Sequence, residues 1–283
     1  VALPLLLVPG GAAGAVSPSR VTAAAAGATA RPGPHNFSHS TRINNRWLPL
    51  APGTQFVLAG RADRGQGLRP HRIVLIVTDL VKKVNGVWTV VAFERDYNGG
   101  RLAEAELFFE AQDNRGAVWN FGEYPEVYEN GRFAGAPDTW IPGVDGAKAG
   151  IGMLAHPRVG TPAYVQGDAP SVEFLDKAKV SQRNQRLCVP AGCYRHVLVI
   201  DEWSPLDPGS GHQLKYYAPG VGSIRVGAVG GQQQEFLALV SVTHLSRAAL
   251  ATARRQALAL ERRAYRVSKV YRHTPPAERR RCR

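Results

Sequence analysis

Between about Asn36 and residue 245 the chain is a succession of short runs in which apolar residues recur every second position, broken by clusters of Gly, Pro and Asn. A period of two is the signature of strands, and the breaks are turn chemistry. The clearest runs are HRIVLIVTDL, VWTVVAFERDY, AELFFEAQD, AVWNFGEY, CYRHVLVIDEW, HQLKYYA and EFLALVSVTHL. They follow one another too closely for helices to intervene, which disfavours a parallel α/β sheet. The expected fold is therefore mainly β: a single antiparallel curved sheet, half-barrel or sandwich spanning 36–245. Residues 129–168 are rich in Gly and Pro and poor in periodicity, so they are expected to form a long loop, the kind of segment that often carries function.

The pattern changes after residue 245. Leu250, Ala253, Ala257, Leu260, Ala264, Val267 and Tyr271 follow a 3,4 spacing among strong helix formers, which predicts one C-terminal amphipathic α-helix over 246–271. Small Ala at half the seam fits docking onto a flat sheet at least as well as a coiled coil. Residues 272–283 then read as a basic flexible tail. The formal charge of +13 belongs mostly to this end, since 245–283 alone contributes +10. The β body is electrostatically ordinary, so nucleic acid is not an expected partner.

The chain opens VALPLLLVPGGAAGA, an apolar run followed by small residues with Ala13 and Ala15 spaced as an A-x-A cleavage signal. Residues 1–15 are read as a signal peptide and 16–35 as a disordered linker, making the protein secreted or extracytoplasmic. No later segment offers 18 uninterrupted apolar residues, so no transmembrane helix is expected. Cys188 and Cys193 bracket Val-Pro-Ala-Gly, where Pro190 and Gly192 suit a tight turn. A disulfide across a hairpin end is the favoured reading in an oxidising compartment. The alternatives are two free buried thiols, or a metal site completed by His196 and a distant ligand.

The strongest local anomaly is acidic. Residues 94–129 hold nine carboxylates against Arg95, Arg101 and Arg115. Asn98-Gly99-Gly100 marks a hairpin, and matching apolar faces pairs Phe93 with Ala105 and Val91 with Leu107, which sets Glu94 opposite Glu104 with Asp96 and Glu106 on the same face. Like charges so opposed are destabilising unless compensated. Three compensations are open. A divalent cation of the Ca²⁺ type could sit among Glu94, Asp96, Glu104 and Asp113. Shared protonation could make an acid/base pair from Glu94, Glu104, Glu106 and Glu123, as glycoside hydrolysis uses. Or the acids could line a solvated face, neutralised by the Arg-rich C-terminal segment.

Aromatic residues supply the second candidate site. Trp119, Tyr124, Tyr128 and Trp140 could hold a ligand against their rings, with Tyr128 and Trp140 the better choices for exposure. His156, in loop-like sequence, is the histidine of most interest, whereas His196 alternates with Leu198 and Ile200 and reads as a core or edge residue. No G-x-S-x-G elbow and no phosphate-binding Gly-rich loop occurs in a suitable context.

Three stretches, AQDNRGAVWNFGEY at 111–124, GVDGAKAGIGMLAHPRVGTPAY at 143–164 and EWSPLDPGSGHQLKYYAPGVGSI at 202–224, resemble a family of uncharacterised secreted bacterial proteins. KYYAPGVGSI is also similar to the end of LolA-like half-barrel domains, which implies a curved sheet around a helix or an apolar ligand. Neither resemblance assigns a reaction. The function expected is an exported binding protein for a small molecule, lipid or glycan, held in an aromatic- and carboxylate-lined concavity. The alternatives are a secreted carboxylate-dependent hydrolase acting on a glycan or related polymer, and a cation-binding β domain.

Overall fold

The computed structural model describes residues 33–65, 67–232 and 234–280. The signal-peptide reading, most of the proposed linker and Cys282 lie outside them. Strands β1 (Thr54–Asp63), β2 (Leu68–Val84), β3 (Val87–Asn98), β4 (Arg101–Gln112) and β5 (Val118–Glu129) form a meander of antiparallel hairpins. The short strand β6 (Arg132–Gly135) folds back on β5. Then β7 (Lys148–Met153), β8 (Tyr164–Ala169), β9 (Phe174–Val189), β10 (Gly192–Trp203), β11 (His212–Ala218), β12 (Gly222–Val229) and β13 (Gln234–His244) continue round. β1 pairs with both β2 and β13, so twelve strands close into a ring.

The mainly β, antiparallel expectation holds, but the half-barrel or open sheet is corrected to a closed barrel. Closure gives β1 and β13, which would otherwise be exposed edges, a full set of partners. All seven strands expected from periodicity are present. The supposed loop over 129–168 contains β6, β7 and β8, too short and Gly-rich for alternation to reveal them.

Strands β2 to β4 are apolar on both faces, and each face has its own partner. The inner face contributes Ile73, Leu75, Val77, Val90, Ala92 and Phe108 to the core inside the barrel. The outer face contributes Leu80, Val91, Phe93, Leu107 and Phe109 to a second core under the helix α1 (Arg247–Val267). Ser246 caps α1 by accepting a hydrogen bond from the Ala249 amide, and Ala253, Ala257, Leu260 and Ala264 form the buried stripe. The helix ends at Val267, and Val267 is exposed, while Tyr271 is buried from a following 3₁₀ turn.

Residues 272–280, expected as a flexible tail, instead run back along β2. β14 (Glu278–Arg279) pairs with Val81 and Leu80. The pin is Lys82, fully buried on the outer face, whose Nζ donates to Glu261 (2.7 Å), the Tyr265 hydroxyl (3.0 Å) and the Pro275 carbonyl (2.7 Å). Burial lowers the Lys82 pKa and Glu261 opposes that shift. The same Glu261 accepts from the Ala277 amide, so one ion pair fixes both helix and C-terminal strand to the barrel.

Opposite ends of the barrel differ. At the end carrying the β4–β5, β9–β10 and β11–β12 turns, residues 43–50 lie across the mouth as a plug. Asn45 holds it there: its Oδ1 accepts from the amides of Trp47 and Leu48, and its Nδ2 donates to the carbonyls of Gly116 and Leu154. Trp47, Leu48 and Leu50 enter the inner core. The disulfide expected between Cys188 and Cys193 is present, the two residues facing each other across the β9–β10 hairpin. Nearby, His196, read as a core or edge residue, sits at a bulge with φ +57° and is exposed, because the extra residue breaks its alternation with Leu198 and Ile200.

Candidate functional site

The acidic residues are not on a solvated face. Glu94, Asp96, Glu104, Glu106, Glu110 and Glu123 are each between 0 and 5% exposed. β3 presents Val90, Ala92, Glu94 and Asp96 to the inside, and β4 presents Glu104, Glu106, Phe108 and Glu110. The Arg-rich helix covers the opposite, apolar face, where Arg263 pairs with Glu126 (2.6 Å) and Arg254 with Asp79 of β2. The β3–β4 register also differs from the expected one: Glu94 faces Glu106 and Asp96 faces Glu104. A bulge beside the Gly99-Gly100 turn inserts one residue into β4, and the net two-residue offset keeps the acids on a single face.

Glu123 joins this interior group through a bulge of its own. Gly122 has φ +97°, and a Cβ there would lie 2.3 Å from the Trp140 carbonyl oxygen. Without a side chain at 122, the Glu123 and Trp140 backbones exchange hydrogen bonds (3.0 and 3.2 Å), and Glu123 turns inward after Phe121 has pointed out.

No N–H or O–H of the described residues reaches either carboxyl oxygen of Glu106, nor Oε2 of Glu94, Glu110 and Glu123. Buried oxygens without donors are costly as anions. The missing donor is the carboxyl proton itself, since Glu104, Glu106 and Glu123 lie close enough to disfavour one another's charge. Burial, with the neighbouring charges of Asp96 and Glu123, pushes Glu104 up to about 8. Burial also pushes Glu123 to about 8, and Glu110, alone in its surroundings, to about 8. Glu94 and Glu106 are raised well above the ordinary carboxyl value, by burial first and then by the neighbouring carboxylates. Shared protonation is thus the compensation this geometry supports.

Nearer the β3–β4 turn the interior holds real ion pairs. The His71 ring lies between Glu235 (Nε2, 2.8 Å) and Asn98 (Nδ1, 2.6 Å), with Asp96 3.2 Å away. Burial works to lower the His71 pKa, but Glu235 and Asp96 more than offset it, so the imidazolium is favoured. Burial likewise pushes upward on Glu235, and His71, Arg64 and Lys215 overcome it. Asp96, mainly through burial, is raised to about 6. Across the barrel Lys215 pairs with Glu202 (2.5 Å), which also accepts from Gln166.

Beside Glu94 a reacting substrate has no room. The cavity beside Glu94, walled by Leu48, Leu50, Phe56, Leu58 and Leu75, is about 20 Å³, the space of a single water. Glu94, Glu104, Glu106 and Glu123 are brought together, but not in an open cleft. Asp113, expected as a fourth cation ligand, is elsewhere: it caps the β4–β5 loop, accepting from the Arg115 and Ala117 amides and from Trp119 Nε1. Among the described residues no three His, Cys, Asp or Glu side chains are arranged to hold a metal ion.

The aromatic candidates are not gathered into a concavity either. Trp140, expected to be exposed, is buried against Phe174, because its backbone is drawn into the Glu123 bulge. Tyr124 is buried on the outer face under Tyr271, and Tyr128 donates to Glu126 beside Arg263. Trp119 and His156 do reach surface clefts. Trp119 lines an outer groove of about 410 Å³ with Phe121, Ile151 and the rim pair Lys148 and Asp168. His156 lines a cleft of about 500 Å³ at the plugged end. Sequence reasoning missed that second cleft, since its other charged residues, Arg46, Arg115, Arg158 and Arg183, come from four separate segments and share no motif.

No family profile matches this chain, and no curated protein matches it significantly. Among solved structures it is similar to an exported-protein candidate of YmcC-like fold from Bacteroides fragilis, at 14% identity and a TM-score of 0.37, over 70% of this chain and 99% of the other. It is also similar to a lipoprotein candidate from Parabacteroides distasonis, at 16% identity and a TM-score of 0.35, over 69% and 97%. Likeness at this level transfers nothing to the present chain, whose class is set by its own strand pairing: over the described residues, a closed antiparallel barrel with buried acids beside an apolar inner core and one external α-helix.

Proposed function

We propose that the protein is an exported, non-catalytic binding barrel that takes its ligand on the outer surface, at the clefts bearing Trp119 and His156, and belongs among uncharacterised secreted bacterial proteins. The observation that carries this reading is the contrast in room. The cavity beside Glu94 offers about 20 Å³, whereas the two clefts offer about 410 and 500 Å³, within the range that small ligands occupy. Export is supported by the Cys188–Cys193 disulfide, which persists in oxidising compartments. The hydrolase alternative loses its support with the burial of the carboxylates, because general acid/base groups must reach the bond they cleave.

The test is chemical-shift mapping on the isotope-labelled protein with mixtures of neutral and charged oligosaccharides. Shifts confined to residues around Trp119 or His156 are expected. Perturbation of the Glu104, Glu106 and Glu123 side chains, or turnover of any oligosaccharide that Glu106→Gln abolishes, would overturn the reading.

A further inference from the structure

The cleft at the plugged end has a composition that asks for a counter-charge. Arg46 comes from the plug, Arg115 from the β4–β5 loop, Arg158 from the β7–β8 loop and Arg183 from β9, and all four line one concavity with His156. No Asp or Glu lines it. Among the described residues none of the four guanidinium groups takes part in an ion pair, while Arg64, Arg254, Arg263 and Arg279 elsewhere each have a carboxylate partner. The nearest acid in sequence, Asp113, has its oxygens occupied by backbone amides and Trp119 Nε1. Four unneutralised cations facing one space repel one another, and a bound anion is what would relieve them.

Their placement is built rather than accidental. The plug that carries Arg46 is held by Asn45 and by Gln112, whose Oε1 accepts from the amides of Asn44 and Asn45 (2.9 and 2.8 Å). The Arg46 carbonyl accepts from Gly220, and its guanidinium lies over the Trp47 ring at 5.2 Å. Planar guanidinium forks match oxyanions in a bidentate manner. Trp47 is only 5% exposed and capped by Arg46, so no free ring is available on which nucleic-acid bases could stack.

We propose that this cleft binds an acidic glycan, a saccharide chain bearing carboxylates on successive residues, through Arg46, Arg115, Arg158 and Arg183. The proposal rests on the binding reading above and names its ligand class.

The experiment is a shift-mapping titration of the whole protein with four separate probes: oligogalacturonate, a neutral oligosaccharide of equal length, inorganic phosphate, and single-stranded oligothymidylate. The expected result is saturable binding of oligogalacturonate centred on Gly116, His156 and Arg158. Charge-assisted hydrogen bonds of this kind are worth about tenfold in affinity each. Arg158→Gln with Arg183→Gln, both at exposed positions, should therefore weaken binding by roughly tenfold or more, with an unchanged melting temperature, and added salt should weaken it further. An undiminished affinity in that double variant would overturn the site. Tighter binding of oligothymidylate, or equal binding of phosphate alone, would overturn the glycan assignment. Binding of the neutral chain at Trp119 with none of the charged one would overturn this inference and leave the binding reading standing. No shift with any probe would remove both.

Discussion

Glu110 isolates the energetic consequence of the buried acids, because burial is what raises its pKa and no other carboxylate contributes. Its folded pKa of about 8 lies above the ordinary 4.5, so between those values the folded state holds a proton that the unfolded state has released. A raised carboxyl pKa contributes its full stability below about pH 4.5 and loses it as the pH climbs through about 8. At about 1.4 kcal/mol per pH unit the loss is about 3 kcal/mol at pH 7 and approaches about 5 kcal/mol above pH 8. Glu110→Gln is nearly isosteric and cannot ionise, so it should remove this loss. Its stability relative to the parent, measured by denaturant unfolding at pH 4.5, 6, 7 and 8, should rise with pH by about 1.4 kcal/mol per unit and flatten above pH 8. A difference independent of pH would refute the reasoning, since the side chain would then be ionised at every pH or exposed to solvent.

Lys82→Met should cost about 3–5 kcal/mol by leaving Glu261 buried without its cation, and hydrogen exchange should show α1 and β14 opening ahead of the barrel. The double change Lys82→Met with Glu261→Leu should recover much of that loss in denaturant unfolding. Gly122→Ala should cost about 2 kcal/mol or more, since the new Cβ meets the Trp140 carbonyl at a φ that alanine disfavours; unchanged stability would mean that the bulge can straighten. Replacing Cys188 and Cys193 together with serine opens a six-residue loop worth about 2 kcal/mol, with the loss read from the denaturation midpoint and confined to the β9–β10 hairpin.

The strands were legible wherever one run of alternation had one meaning. VWTVVAFERDY and AELFFEAQD were found because Val, Phe and Leu alternate with anything else, and the Gly99-Gly100 turn located their hairpin. What alternation cannot say is which face looks inward. Val91 and Phe93 are as apolar as any core residues, so they were natural candidates for the interior; the helix stripe of Ala253, Ala257, Leu260 and Ala264 claims them instead, and the barrel takes Glu94 and Asp96 inside. Bulges hid the rest. A two-residue turn at Gly99-Gly100 and one residue added to β4 together moved Glu104 from Glu94 to Asp96, and Gly122 turned Glu123 inward.

Closure was illegible because it depends on β1 and β13 meeting, residues separated by most of the chain. The helix was placed to within a few residues at its C-terminus by the 3,4 spacing. The disulfide followed from two cysteines around a four-residue turn. The arginine cleft could not be read at all: it is assembled only when the plug, two loops and β9 converge.

Infrared spectroscopy of the carboxyl C=O stretch at pH 7 tests the central claim most directly. Protonated-acid absorption should be present in the native protein, should shrink in Glu106→Gln and Glu110→Gln, and should vanish on raising the pH well past 8. A spectrum showing only carboxylate at neutral pH, or a metal ion retained in native mass spectrometry, would mean that the barrel stores anions with a counter-ion rather than neutral acids.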